Sequence, residues 1–217
     1  MTYVERNVRQ LINVQDLRTF YRFLQICAAR TGQLLNLSSL ANDCGITHNT
    51  AKAWISVLEA SYIVFLVSPH YKNFNKRLIK SPKLYFYDTG LVCLLAGIQH
   101  AEQLISHSIR GALFETWVAI ELIKKRFNRG LLSNIYFWQD SKGHEIDFLI
   151  ERGDILLPIE VKSGQTINND YFAGINYWNL LNKQVHNGYL MYAGNQSQKR
   201  SATQIVPWNE IDKIDLH

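Results

Sequence analysis

The chemistry most worth following lies in two short stretches, His-Glu-Ile-Asp-Phe-Leu-Ile over 144–150 and Pro-Ile-Glu-Val-Lys over 158–162. Read as strands, the first puts Glu145, Asp147 and Leu149 on one face and Ile146, Phe148 and Ile150 on the other. The second puts Glu160 and Lys162 opposite Ile159 and Val161. With Glu151-Arg152-Gly153-Asp154 as a hairpin turn and Ile150 facing Ile155, Glu145 stands across from Glu160. Asp147 then faces Pro158 and is a diagonal neighbour of Glu160 on the same face. Three carboxylates and one ammonium converge. Like charges across a ladder destabilise by up to ~1 kcal/mol per pair, a penalty that a bound divalent cation removes. Oxygen-only donors suit Mg²⁺ or Mn²⁺, which keeps several waters and takes one or two protein carboxylates. Asp147 and Glu160 are the expected ligands, with Glu145 as a substitute or additional one. Lys162 is placed to orient or deprotonate a water, or to stabilise charge developing on a phosphate.

A further acid belongs to this group. A helix is expected from Arg110 to about Phe127, with Phe114, Val118 and Leu122 beside Leu113, Trp117 and Ile120 as apolar rows. Glu115 shares its face with Ala112, Ala119 and Leu122. A helix packing that strip on the sheet would carry Glu115 toward the same centre, to hold water or a second ion. The strands expected around the site are 134–139, 144–150 and 155–162, followed by a helix over 168–183 with Tyr171, Ile175, Trp178 and Leu181 as its apolar row, and a strand over 188–192. The histidines show no metal-binding or zincin spacing, and His144 reads as an ordinary strand residue. Trp117, Trp138 and Trp178 read as core.

The other half of the chain reads differently. Asp16 is an N-cap for a helix to about Arg30 whose Phe20, Phe23, Leu24 and Cys27 share a face, and Gly32 stops it. A short helix around 38–44, a turn at Gly45 and a longer helix over 47–58 form a helix-turn-helix arrangement. Strands over 63–67 and 83–87 follow, enclosing Lys72, Lys76, Arg77 and Lys80 with no acid between them. Together these predict a winged helix, with Thr47, His48, Asn49, Thr50 and Lys52 at the reading end of the second helix and the lysines and Arg77 on the phosphate backbone. Tyr71 and Phe74 interleave the charges. Asp88 caps a compact apolar helix that Gly97 closes.

Composition supports this division. The chain has 217 residues with a formal charge of +5, and residues 1–108 hold 11 Lys+Arg against 6 Asp+Glu, whereas 109–217 hold 12 of each. The whole basic excess lies in the first half, as for a protein that meets a polyanion with one part and uses carboxylates in the other. A hydrophobic content of 47% with 4 prolines excludes disorder and linker-rich architectures. Cys27, Cys44 and Cys93 are unpaired in spacing, which argues against a disulfide framework or structural zinc and for the cytoplasm. No apolar run reaches the ~20 residues of a membrane helix, and no G-x-x-x-x-G-K-[ST] phosphate loop occurs, so ATP hydrolysis by this polypeptide is not expected.

The order of helix with Glu115, strand, strand with Asp147, strand with Glu160 and Lys162, helix, strand resembles the core of the PD-(D/E)XK nuclease superfamily. The segments TYVERNVRQLINV, LSSLANDCGITHNTAKAWISVLE, KLYFYDTGL, GALFETWVAIEL, HEIDFLI and PIEVKSG resemble the C-terminal region of a bacterial and archaeal AAA-type ATPase family that carries a C-terminal domain of unknown function. The resemblance implies an α/β chain: a linker helix over 1–15, an α-rich winged helix-turn-helix over 16–100, and an α-β-β-β-α-β restriction-endonuclease-like domain over 108–217. It implies catalytic roles for Glu115, Asp147, Glu160 and Lys162, an ATPase domain or partner, and a truncated gene product or expressed fragment. The expected activity is Mg²⁺-dependent phosphodiester hydrolysis on DNA. Its alternatives are a non-catalytic DNA- or protein-binding module of an ATPase and a winged-helix regulator.

Overall fold

A computed structural model describes residues 16–71, 79–182 and 188–216. The linker helix expected over 1–15, and Lys72, Phe74, Lys76 and Arg77, lie outside the described residues. The chain divides into two compact units, residues 1–66 with 81–116 and residues 67–80 with 117–217.

The first unit is mainly helical because its sequence supplies caps where helices must begin. Asp16 accepts hydrogen bonds from the Arg18 and Thr19 amides and opens α1 (Leu17–Ala29). Asn36 does the same for α2 (Leu37–Cys44), and Thr47 for α3 (His48–Ala60). Between α2 and α3 the chain turns through Gly45 at φ +68°, a left-handed conformation that a side chain would strain. Asp88 caps α4 (Thr89–Leu95). The helices close on Phe20, Phe23, Leu24, Leu40, Trp54 and Leu58, with Trp54 edge-on to both phenylalanines. β1 (Gln33–Leu34), β2 (Val64–Val67) and β3 (Lys83–Phe86) form a three-stranded sheet in the order β1-β3-β2. The sequence gave no sign of β1, a two-residue pairing made by a distant partner.

The second unit is a six-stranded mixed sheet in the order β4-β5-β6-β7-β9-β8. Its strands are β4 (Ile135–Gln139), β5 (Glu145–Arg152), β6 (Ile155–Lys162), β7 (Gly188–Tyr192), β8 (Gln198–Arg200) and β9 (Thr203–Pro207). β4, β5 and β6 are antiparallel neighbours, β6, β7 and β9 run parallel, and β8 returns antiparallel on β9. A parallel neighbour needs a crossover, and here a 3₁₀ turn (Asn169–Phe172) leads into helix α6 (Ala173–Asn182). The single helix expected over 168–183 is therefore this 3₁₀ turn plus a shorter α-helix. Ile175 and Trp178 of α6 are buried, and Trp178 packs with Trp138, Ile146, Leu149 and Leu156. Helix α5 (Arg110–Phe127) has the expected bounds.

Two expectations about the hairpin are corrected. Arg152 pairs with Ile155, so the turn is Gly153-Asp154, and Ile150 faces Leu157 instead of Ile155. Gly153 at φ +56° supplies the left-handed residue such a tight turn requires. The shift is by two residues, which keeps the faces of β6 but brings Asp147 directly opposite Glu160 by continuation of the register. Second, β5 carries a bulge: Tyr136 pairs with Leu149 but Trp138 with Ile146. The extra residue turns Ile146 to the face of Leu149, away from Phe148, and strict alternation through 144–150 fails there.

The described residues on either side of the basic stretch lie along the large sheet. Pro69 bridges Phe137, the His70 amide donates to the Phe137 carbonyl at 2.7 Å, and the Ile79 amide donates to the Gln139 carbonyl at 3.1 Å. The flanks of this excursion lie along β4, the edge of the large sheet, whose unpaired backbone groups would otherwise be open.

Candidate active site

Asp147 on β5 and Glu160 on β6 are both withdrawn from water, with 5% and 4% of their surface exposed. Asp147 Oδ2 accepts the Val161 amide at 2.8 Å, so its side chain replaces the next rung of the ladder beyond Phe148–Ile159. Lys162 Nζ donates to Glu160 Oε2 at 2.8 Å and stands 3.6 Å from Asp147 Oδ2. One ammonium thus serves two carboxylates. Glu160 Oε1 is buried and has no hydrogen-bond partner among the described residues. The room for it comes from α6: a Cβ on Gly174 would lie 2.1 Å from Oε1 and 2.9 Å from the Glu145 carbonyl oxygen. A glycine here is a steric requirement of the carboxylate beneath it.

Electrostatics follow from this placement. Burial, with the Asp147 charge next, pushes the Glu160 carboxyl up to about 8, against the opposing pull of Lys162. Glu145 adds a smaller push in the same direction. Two buried carboxylates, one with an oxygen that nothing satisfies, fit a divalent cation that keeps most of its waters. Among the described residues no group of three or more His, Cys, Asp or Glu side chains is arranged to hold a metal. The acids brought together at this point are Asp147 and Glu160.

Glu115 has close partners within the first unit. Its Oε1 accepts from the Tyr85 hydroxyl at 2.6 Å and from Lys83 Nζ at 3.2 Å, with Lys83 and Tyr85 buried. The residues expected to read DNA are in part occupied locally. Thr47 caps α3 and bonds Thr50, and His48 Nδ1 lies 3.3 Å from Ser38 Oγ. Asn49 and Lys52 are exposed, as is Lys80 in the second unit.

One constellation escaped the sequence reading. Asp140, 1% exposed, accepts at Oδ1 from the Lys142 and His144 amides and lies 3.1 Å at Oδ2 from His144 Nδ1. The Tyr177 hydroxyl donates to the same Oδ2 at 3.3 Å, and the His144 and Tyr177 rings stack at 3.9 Å between centroids, 10° from parallel. Hydrogen bonds from the two amides and the imidazole outweigh burial, the largest opposing influence, and hold the Asp140 carboxyl below its ordinary value. The Asp-Ser-Lys-Gly-His spacing, an aspartate closing a glycine turn onto a histidine, was the available signal.

Residues 1–102 match the model of a domain of unknown function, DUF8612, and residues 110–211 match that of a second, DUF4143. The chain is similar to two curated proteins, the uncharacterized protein Mb2031c of Mycobacterium bovis and the uncharacterized protein Rv2008c of Mycobacterium tuberculosis. Each is 29% identical over 166 residues, covering 76% of this chain and 36% of the relative. The chain thus spans about a third of the length of the curated relatives it matches. No solved structure matches it. Among the described residues, no helix is long and apolar enough to cross a membrane.

Proposed function

We propose that the second unit is a metal-dependent phosphodiester hydrolase of the PD-(D/E)XK type, and that the first unit is a winged helix that docks it on DNA. The observation that carries the reading is the buried Glu160, its Oε1 unsatisfied, paired with Asp147 and held by Lys162. Asp147 and Glu160 would hold Mg²⁺ or Mn²⁺, which when bound supplies Lewis-acid stabilisation of a phosphate and lowers the pKa of its waters. To serve as a ligand Glu160 would release its proton to solvent. Lys162 then orients the attacking water and offsets negative charge gathering on the phosphate. Asn49 and Lys52 at the start of α3 are among the exposed side chains available for DNA contact, and the first-half charge excess favours a polyanion.

The test is cleavage of plasmid and oligonucleotide DNA with Mg²⁺ or Mn²⁺. Asp147→Ala and Lys162→Ala should each abolish it while circular dichroism stays unchanged; undiminished cleavage by either variant overturns the assignment. A non-catalytic docking module is favoured by one observation, that among the described residues no group of three or more His, Cys, Asp or Glu side chains is arranged to hold a metal, and it predicts no cleavage by the parent chain.

A further inference from the structure

We infer that the β4–β5 turn is a binding site for an unpaired nucleobase, with His144 as its stacking platform. His144 is fixed on two sides: Asp140 holds its Nδ1 edge and Tyr177 covers one ring face. Yet 43% of the side chain is exposed. With the Nδ1 edge held and one ring face covered, the exposed surface belongs to a ring that is already immobilised. Immobilisation matters because a stacking surface that must first be ordered loses part of its binding free energy to that ordering. The same buried aspartate closes the turn through the Lys142 and His144 amides, which fixes the ring and its backbone together.

The surroundings favour a nucleotide over other flat partners such as an arginine or an aromatic peptide side chain. Lys142 is exposed within the turn, and Lys80 is exposed next to Ile79, whose amide bonds Gln139 at the same end of β4. Two exposed lysines thus lie in the segments that meet at this end of β4, in keeping with the pairing of stacking and phosphate contact by which single strands are held. A base within a duplex has both faces stacked on its neighbours and offers none to His144, so the ligand is an unpaired base. The platform also neighbours the carboxylate pair. Tyr177 follows Gly174 by three residues, about 4.5 Å along the α6 axis, and Gly174 is the residue that Glu160 abuts. The site therefore names a substrate form, a strand with an unpaired base beside the scissile phosphate, and it rests on the hydrolysis reading only for what happens at that phosphate.

The test uses the full chain in metal-free buffer with short DNA or RNA strands carrying 2-aminopurine, whose fluorescence falls when it stacks. The parent protein should quench the probe in a single strand and leave the already low fluorescence of the matching duplex unchanged. His144→Ala should lose the quench and weaken binding about tenfold, whereas His144→Phe, which keeps a ring, should retain it. Lys142→Ala should keep the quench and reduce the salt dependence of binding. The same pattern on DNA or RNA supports the site, and the tighter of the two names the strand. An unchanged quench in His144→Ala, or a loss in His144→Phe equal to that in His144→Ala, overturns it. Because the assay reads binding without metal, a protein that quenches but never cleaves keeps this site and loses only the hydrolysis reading.

Discussion

Both units draw a lysine and a glutamate together, and they balance the charges differently. In the first unit Lys83 meets Glu115 at 3.2 Å and Tyr85 donates to the same oxygen at 2.6 Å. In the second, Lys162 serves both Asp147 and Glu160, and Glu160 Oε1 is left without a partner among the described residues. The Glu115 oxygen is thus served by a buried ammonium and a buried hydroxyl. Two buried carboxyls that share one ammonium cannot both ionise cheaply, and burial holds a proton on Glu160, the property expected of a binding site. The contrast separates two glutamates that look alike as letters in a sequence.

The largest effect expected from breaking the contrast is on activity. Asp147→Ala should lower metal-dependent cleavage by about 10²-fold or more while leaving the unfolding midpoint in urea close to that of the parent. Next in size is stability in the first unit. Lys83→Met takes the ammonium from the Glu115 carboxylate, which keeps the Tyr85 hydroxyl, and should cost about 1–3 kcal/mol, whereas the double change Lys83→Met with Glu115→Leu should recover most of it, as read by urea unfolding. Gly174→Ala comes third. Its methyl group meets Glu160 and the Glu145 carbonyl, so overpacking should cost roughly 1–3 kcal/mol and lower metal affinity at the same time.

A further effect is on pH dependence. The Glu160 carboxyl is raised by burial from an ordinary value near 4.5 to about 8, so the folded protein holds a proton that the unfolded chain releases. The stabilising contribution is fully present below about 4.5 and is lost as pH rises to about 8. Thermal melts of metal-free protein should show this decline, and Glu160→Gln should flatten it.

Much of the fold was legible because its signals are local. Asp16, Thr47 and Asp88 cap helices as their side-chain chemistry requires, and α5 and β6 begin and end where periodicity places them. What was illegible depends on pairing between distant positions. Neither β1 nor the parallel β7–β9 contact has a signature within its own few residues, and the bulge before Leu149 breaks an alternation that the letters alone support. The β5–β6 register was misjudged by the length of its turn, yet Glu160 and Lys162 kept their shared face because the shift was even. Asp147, Glu160 and Lys162 were legible as a group, since carboxylates in strands dense with buried apolar residues carry an evident cost. Glu115 was placed by helix face alone, which cannot show that Tyr85 and Lys83 arrive from elsewhere in the chain. His144 was passed over because its meaning depends on Asp140 across a turn and Tyr177 on a later helix.

The central claim, that the buried carboxylate pair binds a divalent cation, is tested most directly by calorimetric titration of the metal-free chain with Mn²⁺. The account predicts saturable uptake of one ion with proton release near pH 7, abolished in a variant carrying Asp147→Asn and Glu160→Gln. Absence of uptake by the parent chain, or equal uptake by that variant, would contradict it.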